Sequence, residues 1–110
     1  MIDKKFIEVL IEKELTEANL KNPLFRIPHE AYAVLLEEVE EMEDEVRKIS
    51  DQMEIMWDYV KGDQNIENRA VVIYNRAISV IQEAVQVAAV CKKIKQSDIY
   101  GRKQNEQEES

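Results

Sequence analysis

The chain has 110 residues, enough for one small domain, and its two glycines, two prolines, 45% hydrophobic and 35% charged residues point to helices and against a turn-rich β fold. A formal net charge of −8 argues against binding a nucleic-acid phosphate backbone, which demands a basic surface. An acidic protein that handles anionic substrates needs metal ions as intermediaries.

The opening Met-Ile-Asp-Lys-Lys has no signal-peptide apolar core, and no segment reaches the roughly 18 to 20 apolar residues of a membrane span. A cytoplasmic protein with no membrane partner is expected. The single cysteine, Cys91, rules out an intramolecular disulfide and suits a reducing compartment. It lies in an apolar run with no cation until Lys92 and Lys93, so it reads as core packing.

Residues 2 to 20 carry Phe6, Ile7, Leu10, Ile11, Leu15 and Ala18 at helical spacing, which predicts a first amphipathic helix. The segment Lys-Asn-Pro-Leu-Phe-Arg-Ile-Pro follows. Its prolines disfavour helix in the residues before them, and Pro28 suits the first turn of the next helix. Leu24, Phe25 and Ile27 make this an apolar loop expected to pack down, and Glu30 complements the next helix dipole.

From Pro28 to Lys61 the apolar residues Tyr32, Leu35, Val39, Met42, Val46, Ile49, Met53, Met56 and Val60 recur at alternating steps of three and four, the pattern of a long helix with one buried seam. Such a helix is about 50 Å long, too long for a compact monomer whose radius of gyration should be about 13 Å. Either it breaks near Ser50-Asp51 or a partner chain buries the excess. Gly62 is the expected stop, with Asp63 or Asn65 capping the next helix.

Beside this seam Glu38, Glu41 and Glu45 fall on one flank at about 100° per residue, whereas Glu37, Glu40 and Asp44 point away. Like charges so placed repel by a few tenths of a kcal/mol per pair. A divalent cation, or Lys and Arg from another segment, must compensate, unless the strip is a solvated helix face.

A third helix is predicted over 66–95, with Val71, Tyr74, Ile78, Ile81, Val85 and Ala88 as its seam. Its middle, residues 84–91, is apolar on nearly every side and is expected in the centre of a bundle, although Glu83 and Gln86 lie there and need polar partners. Asn75, Ser79, Gln82, Gln86, Lys93 and, at the edge, Glu83 share a flank expected to face the acidic strip. Residues 1–96 read as a single domain, and 97–110 as a disordered polar tail.

Glu37-Glu38-Val-Glu-Glu41 on one long helix, followed by Glu83-Ala-Val-Gln86 in an apolar one, resembles the MazG-like all-α nucleoside triphosphate pyrophosphohydrolases. That superfamily pairs E-x-x-E on one helix with E-x-x-D on a later one. His29-Glu-Ala-Tyr-Ala-Val and the closing run from Glu83 to Lys93 resemble a compact subgroup, the likeness covering about residues 28 to 95. Here Gln86 stands where Asp is usual, bringing an oxygen without a charge, and the two motifs lie farther apart than is usual.

The resemblance implies Mg²⁺, or Mn²⁺ in its place, held by Glu38, Glu41, Glu83 and Gln86, with Glu45 a candidate for the missing charge. It implies Glu38 and Glu41 as the catalytic carboxylates. Lys93, Lys92 and Asn75 are candidates for binding a nucleoside or deoxynucleoside triphosphate, which would be cleaved to the monophosphate and pyrophosphate. Base selection would fall to Phe25, Tyr32 or Trp57. It further implies an all-α long-helix bundle completed by homo-oligomerisation, as a dimer or tetramer. Two alternatives stand beside this reading: a catalytically silent helical interaction protein that keeps the fold, and a coiled-coil adaptor, which explains the heptads but not Glu83 and Gln86.

Overall fold

The computed structural model describes residues 1–101 and is all-helical there. Three helices follow in order: α1 (Lys4–Lys21), α2 (Pro28–Lys61) and α3 (Glu67–Ser97). Of the expected tail, 97–110, residues 102–110 lie outside the described residues. The chain forms two compact units, Met1–Glu38 with Val85–Ser110, and Val39–Ala84.

Local chemistry sets the helix ends. The Asp3 carboxylate accepts the Lys5 N–H at 3.0 Å and caps α1, satisfying one of the donors a helix start leaves open. Pro28 opens α2, where its missing N–H costs nothing, and Ala31 N–H closes the first turn onto the Ile27 carbonyl at 3.3 Å.

In the first unit the loop between α1 and α2 packs down as its apolar residues require. Phe25, Ala31 and Ile99 form a buried cluster, with Val34, Val90 and Ile94 against it. The loop is fastened by Ser97, which is 1% exposed. Its hydroxyl accepts the Phe25 N–H at 2.9 Å and donates to the Lys93 carbonyl at 2.7 Å. Ser97 is thus the last residue of α3, and Ile99 is core. Both belong to the domain and not to the polar tail that composition suggested, because a serine that bonds back to its own helix can be buried without an orphaned hydroxyl. Cys91 is a second correction: it is exposed, since the covered face of α3 here runs through Ala89, Lys93 and Ser97.

The second unit is an antiparallel helical hairpin. Arg69 lies over the Tyr59 ring, Arg76 meets Glu45 and Glu83 meets Glu41, so partners descend α2 as they ascend α3. Helix α2 runs unbroken through Ser50 and Asp51. At its end Gln64 N–H bonds the Tyr59 carbonyl at 2.8 Å and Asp63 N–H bonds the Val60 carbonyl at 3.1 Å, the paired bonds of a Schellman cap. The left-handed residue of this cap is Asp63, φ 54°, one position beyond the expected glycine. Asn65 then caps α3 by accepting the Glu67 N–H at 2.8 Å.

The face of α3 turned inward in this hairpin is not the seam expected from the three-four repeat. Tyr74 is 65% and Ile81 53% exposed, and Val71 and Ile78 are exposed with them. The half-buried set is Arg69, Val72, Ile73, Arg76, Ala77, Ser79, Val80 and Glu83. On α2, Met42, Ile49 and Met56 are half-buried, whereas Val46, Met53 and Val60 are exposed.

Two measurements check this account. Gly62 has no positive φ and a Cβ there would sit at ordinary contact distance, 3.4 Å from the Asp58 carbonyl. Gly62→Ala should therefore stabilise by about 0.4–1 kcal/mol in urea unfolding, while Asp63→Ala, lacking a side chain that tolerates the left-handed region, should destabilise by about 1 kcal/mol. Ser97→Ala removes both hydroxyl bonds and should cost about 1–3 kcal/mol in the same titration; a change within error would show that the Phe25 loop is held by apolar packing alone.

Candidate functional site

The first unit contains a cavity of about 400 Å³, within the range of small-ligand sites. Helix α1 lines it with Glu14 and Ala18, the loop with Asn22, Pro23 and Phe25, the start of α2 with Glu30, Val34 and Glu38, and α3 with Gln86, Ala89, Val90 and Lys93. Four residues nominated from sequence, Phe25, Glu38, Gln86 and Lys93, thus share one cavity. Gln86 and Lys93 do so because seven residues are two helical turns.

Lys93 is 5% exposed. Its Nζ lies 5.1 Å from the centre of the Phe25 ring and 3.5 Å from the Asn22 carbonyl oxygen. It forms no ion pair among the described residues. Lys92, by contrast, is ion-paired with Glu12 of α1, and Asn75 is exposed, its carbonyl accepting the Ser79 hydroxyl at 3.4 Å. Neither lines the cavity.

The second unit holds a carboxylate pair. Glu41 on α2 and Glu83 on α3 each offer an oxygen within 4.8 Å of the other. The Glu83 carboxyl is pushed above the usual carboxylate range, first by desolvation and then by the Glu41 charge and a hydrogen bond with Glu41, with a smaller push from Glu45. Glu45 itself is held by cations: Oε1 is 3.2 Å from Lys48 Nζ, and Oε2 is 3.6 Å from Arg76 Nη1. Its negative charge is therefore already compensated in the hairpin, and it is a poor source of the charge that Gln86 lacks.

Within each helix, Glu38 lies one turn before Glu41 on α2, and Gln86 one turn after Glu83 on α3. All four offer oxygen donors, the chemistry that hard divalent cations take. Glu14 and Glu30, which sequence reasoning passed over, also line the cavity. Glu30 was visible only as a first-turn acid. Glu14 precedes the core residue Leu15, a position that signalled proximity to the core but not to a cavity.

The raised Glu83 carboxyl has a stability consequence. The folded chain keeps this proton above the pH at which the unfolded chain releases it, so the contribution is present at low pH and is lost as pH rises from the ordinary glutamate range through the raised one. Glu83→Gln should remove that loss, raising metal-free stability at pH 7 by roughly 0.2–0.5 kcal/mol, the size of one like-charge contact. A melting series between pH 4 and 8 checks this; an unchanged slope would mean that Glu83 ionises without opposition.

No family model, no curated protein and no solved structure matches the chain.

Proposed function

We propose that the chain is a Mg²⁺-dependent nucleoside triphosphate pyrophosphohydrolase of the MazG-like kind, with Mn²⁺ able to substitute. The observation that carries this reading is the close Glu41–Glu83 pair, in which Glu83 holds its proton unusually well because it lies partly desolvated beside a second carboxylate. Such a pair fits a divalent cation, which would take the place of that proton. Glu38, Glu41 and Glu83 are the proposed ligands, with Gln86 contributing an amide oxygen.

Bound Mg²⁺ would supply Lewis-acid polarisation of phosphoryl oxygens and a lowered pKa for a coordinated water. In the reaction, water adds to the α-phosphorus, the bond to the α–β bridging oxygen breaks, and pyrophosphate leaves. Glu38 and Glu41 are the proposed catalytic carboxylates, able to accept the proton that the attacking water gives up. Glu38 and Gln86 both border the cavity of the first unit, which supports a small-molecule substrate for this reading.

The reading also has two or more copies of the chain associating. Its support is the exposed apolar series on α3, Val71, Tyr74, Ile78 and Ile81, at the three-four spacing that a partner helix covers. The same series favours the second reading, a catalytically silent helical interaction protein. Metal-dependent thermal stabilisation separates the two, because binding to the native state alone must produce it.

The deciding experiment measures pyrophosphate release from ribo- and deoxyribonucleoside triphosphates, with and without Mg²⁺, on wild type and Glu38→Ala. Release that requires Mg²⁺ and falls by roughly 10²–10⁴-fold in Glu38→Ala is expected. No release from any triphosphate by a folded protein would transfer the conclusion to the silent interaction protein.

A further inference from the structure

We propose that the open face of α3 in the second unit seats a second copy of this chain, the two α3 helices packing antiparallel about a two-fold axis between Tyr74 and Ile78. The proposal rests on the association between copies put forward above and names its face, direction and register. It does not depend on the hydrolase reading.

Exposure and charge locate the face. The chain is 35% charged with a formal net charge of −8, so two copies repel unless they meet where charge is absent. On α3 no exposed residue from 68 to 84 is charged; Arg69, Arg76 and Glu83 are half-buried, with Arg69 on the Tyr59 ring and Arg76 against Glu45. The other helix of the hairpin differs. Exposed residues of α2 include Glu40, Glu43, Arg47, Asp51, Glu54 and Asp58, the composition of a solvated side. Interface cores are depleted of charge, which selects the α3 face and not the open side of α2.

Three rows run along this face. Val71, Tyr74, Ile78 and Ile81 form the middle, all exposed. At intervals of seven, one flank carries Asn68, Asn75 and Gln82, and the other Ala70, Ala77 and Ala84, each row about 80° from the middle at 100° per residue. The flanks therefore differ in kind, amides on one side and single methyl groups on the other.

That difference decides the direction. A two-fold axis perpendicular to the helices brings each flank against its own copy, whereas an axis along the helices brings the amide row of one copy against the alanine row of the other. An amide has both donors and an acceptor, so the amide row is complementary to itself. Covered by alanines it would lose water and gain no partner, which costs free energy. The antiparallel pair also sets the two alanine rows together, where short side chains let the helix axes approach closely.

The register follows from where the middle row is open. Val85, the next residue of the repeat, is half-buried, so the open stretch ends at Ile81. Two such stretches coincide when Tyr74 of one copy faces Ile78 of the other and Val71 faces Ile81, the reciprocal pairing of an isologous interface. Asn75 then lies beside Asn75 of the second copy, and Asn68 beside Gln82.

Sedimentation equilibrium of the full chain tests the face. Wild type should form a dimer, and Ile78→Glu should weaken it by about 100-fold or more, because it sets two carboxylates near the axis. Helical circular dichroism should be retained, since Ile78 is exposed within its own chain. Disulfide trapping tests the direction, on a Cys91→Ser background so that the introduced thiol is alone. Ala77→Cys should cross-link to itself, its two copies flanking the axis. Val71→Cys should not, since its two copies lie about 15 Å apart along the helices, beyond disulfide reach, whereas Val71→Cys mixed with Ile81→Cys should cross-link. Should Ile78→Glu fail to fold, the cross-links decide.

A dimer that survives Ile78→Glu, self-linking of Val71→Cys, or no link in either the Ala77→Cys or the mixed sample would overturn the proposal and leave association of copies through another face or direction. A monomeric wild type would overturn both. Pyrophosphate release stands or falls independently of these outcomes.

Discussion

The first unit depends on two hydrogen bonds made by one hydroxyl. Ser97 accepts from the backbone of Phe25, 72 residues away, and donates to the carbonyl of Lys93 one turn earlier on its own helix. Because the two bonds use the acceptor and the donor of the same group, neither can shift without the other. The consequence reaches the cavity directly, since Phe25 and Lys93 both line it and the ring of one carries the ammonium of the other. The short loop between α1 and α2, which contains Pro23 and lacks that backbone donor, is fastened by this neighbour.

Charge shapes the second unit in a different way. The inward face of the hairpin carries Arg69, Arg76 and Glu83 at intervals of seven, among Val72, Ile73 and Val80. Two of the three find favourable company, Arg69 on the Tyr59 ring and Arg76 against Glu45. Glu83 instead finds Glu41. Apolar residues at that position would pack with less conflict, so the Glu41–Glu83 contact opposes the folding of the hairpin. Local conflicts of this kind concentrate at functional sites, which is why the proposed cation is assigned there and not to the compensated cluster of Asp44, Glu45, Arg47 and Lys48.

How much of this could be read from residues alone varies with the kind of signal. The bounds of α2 were legible because Pro28 and Gly62 act through backbone geometry that no tertiary contact overrides. Gln86 and Lys93 were legible as companions because two turns of helix carry them to one side whatever the surroundings. The left-handed residue was misplaced by one position, since the Schellman bonds make Gly62 the last near-helical residue and leave the strained angle to Asp63. Ser97 and Ile99 were hidden by composition: a short polar run looks like a tail unless one knows that its serine is bonded back to the helix and its isoleucine lies against Phe25. Lys93 as a buried residue, and Glu14 and Glu30 as its neighbours, required knowledge of how three helices approach one another.

The largest departure concerns which face of α3 the hairpin covers, and periodicity could not have decided it. The cleanest apolar repeat, Val71, Tyr74, Ile78 and Ile81, is the exposed one, whereas the covered stripe alternates apolar residues with Arg69, Arg76 and Glu83. A hydrophobic pattern identifies a stripe that repays burial; it does not say whether the covering helix belongs to the same chain. Within the hairpin, α2 offers Tyr59 and Glu45 as well as Met42, Ile49 and Met56, and so it matches a mixed stripe better than a purely apolar one. Arg69 and Arg76 are met inside the hairpin by Tyr59 and Glu45, and the apolar repeat, which needs only volume and exclusion of water from a neighbour, is left for the association proposed between copies.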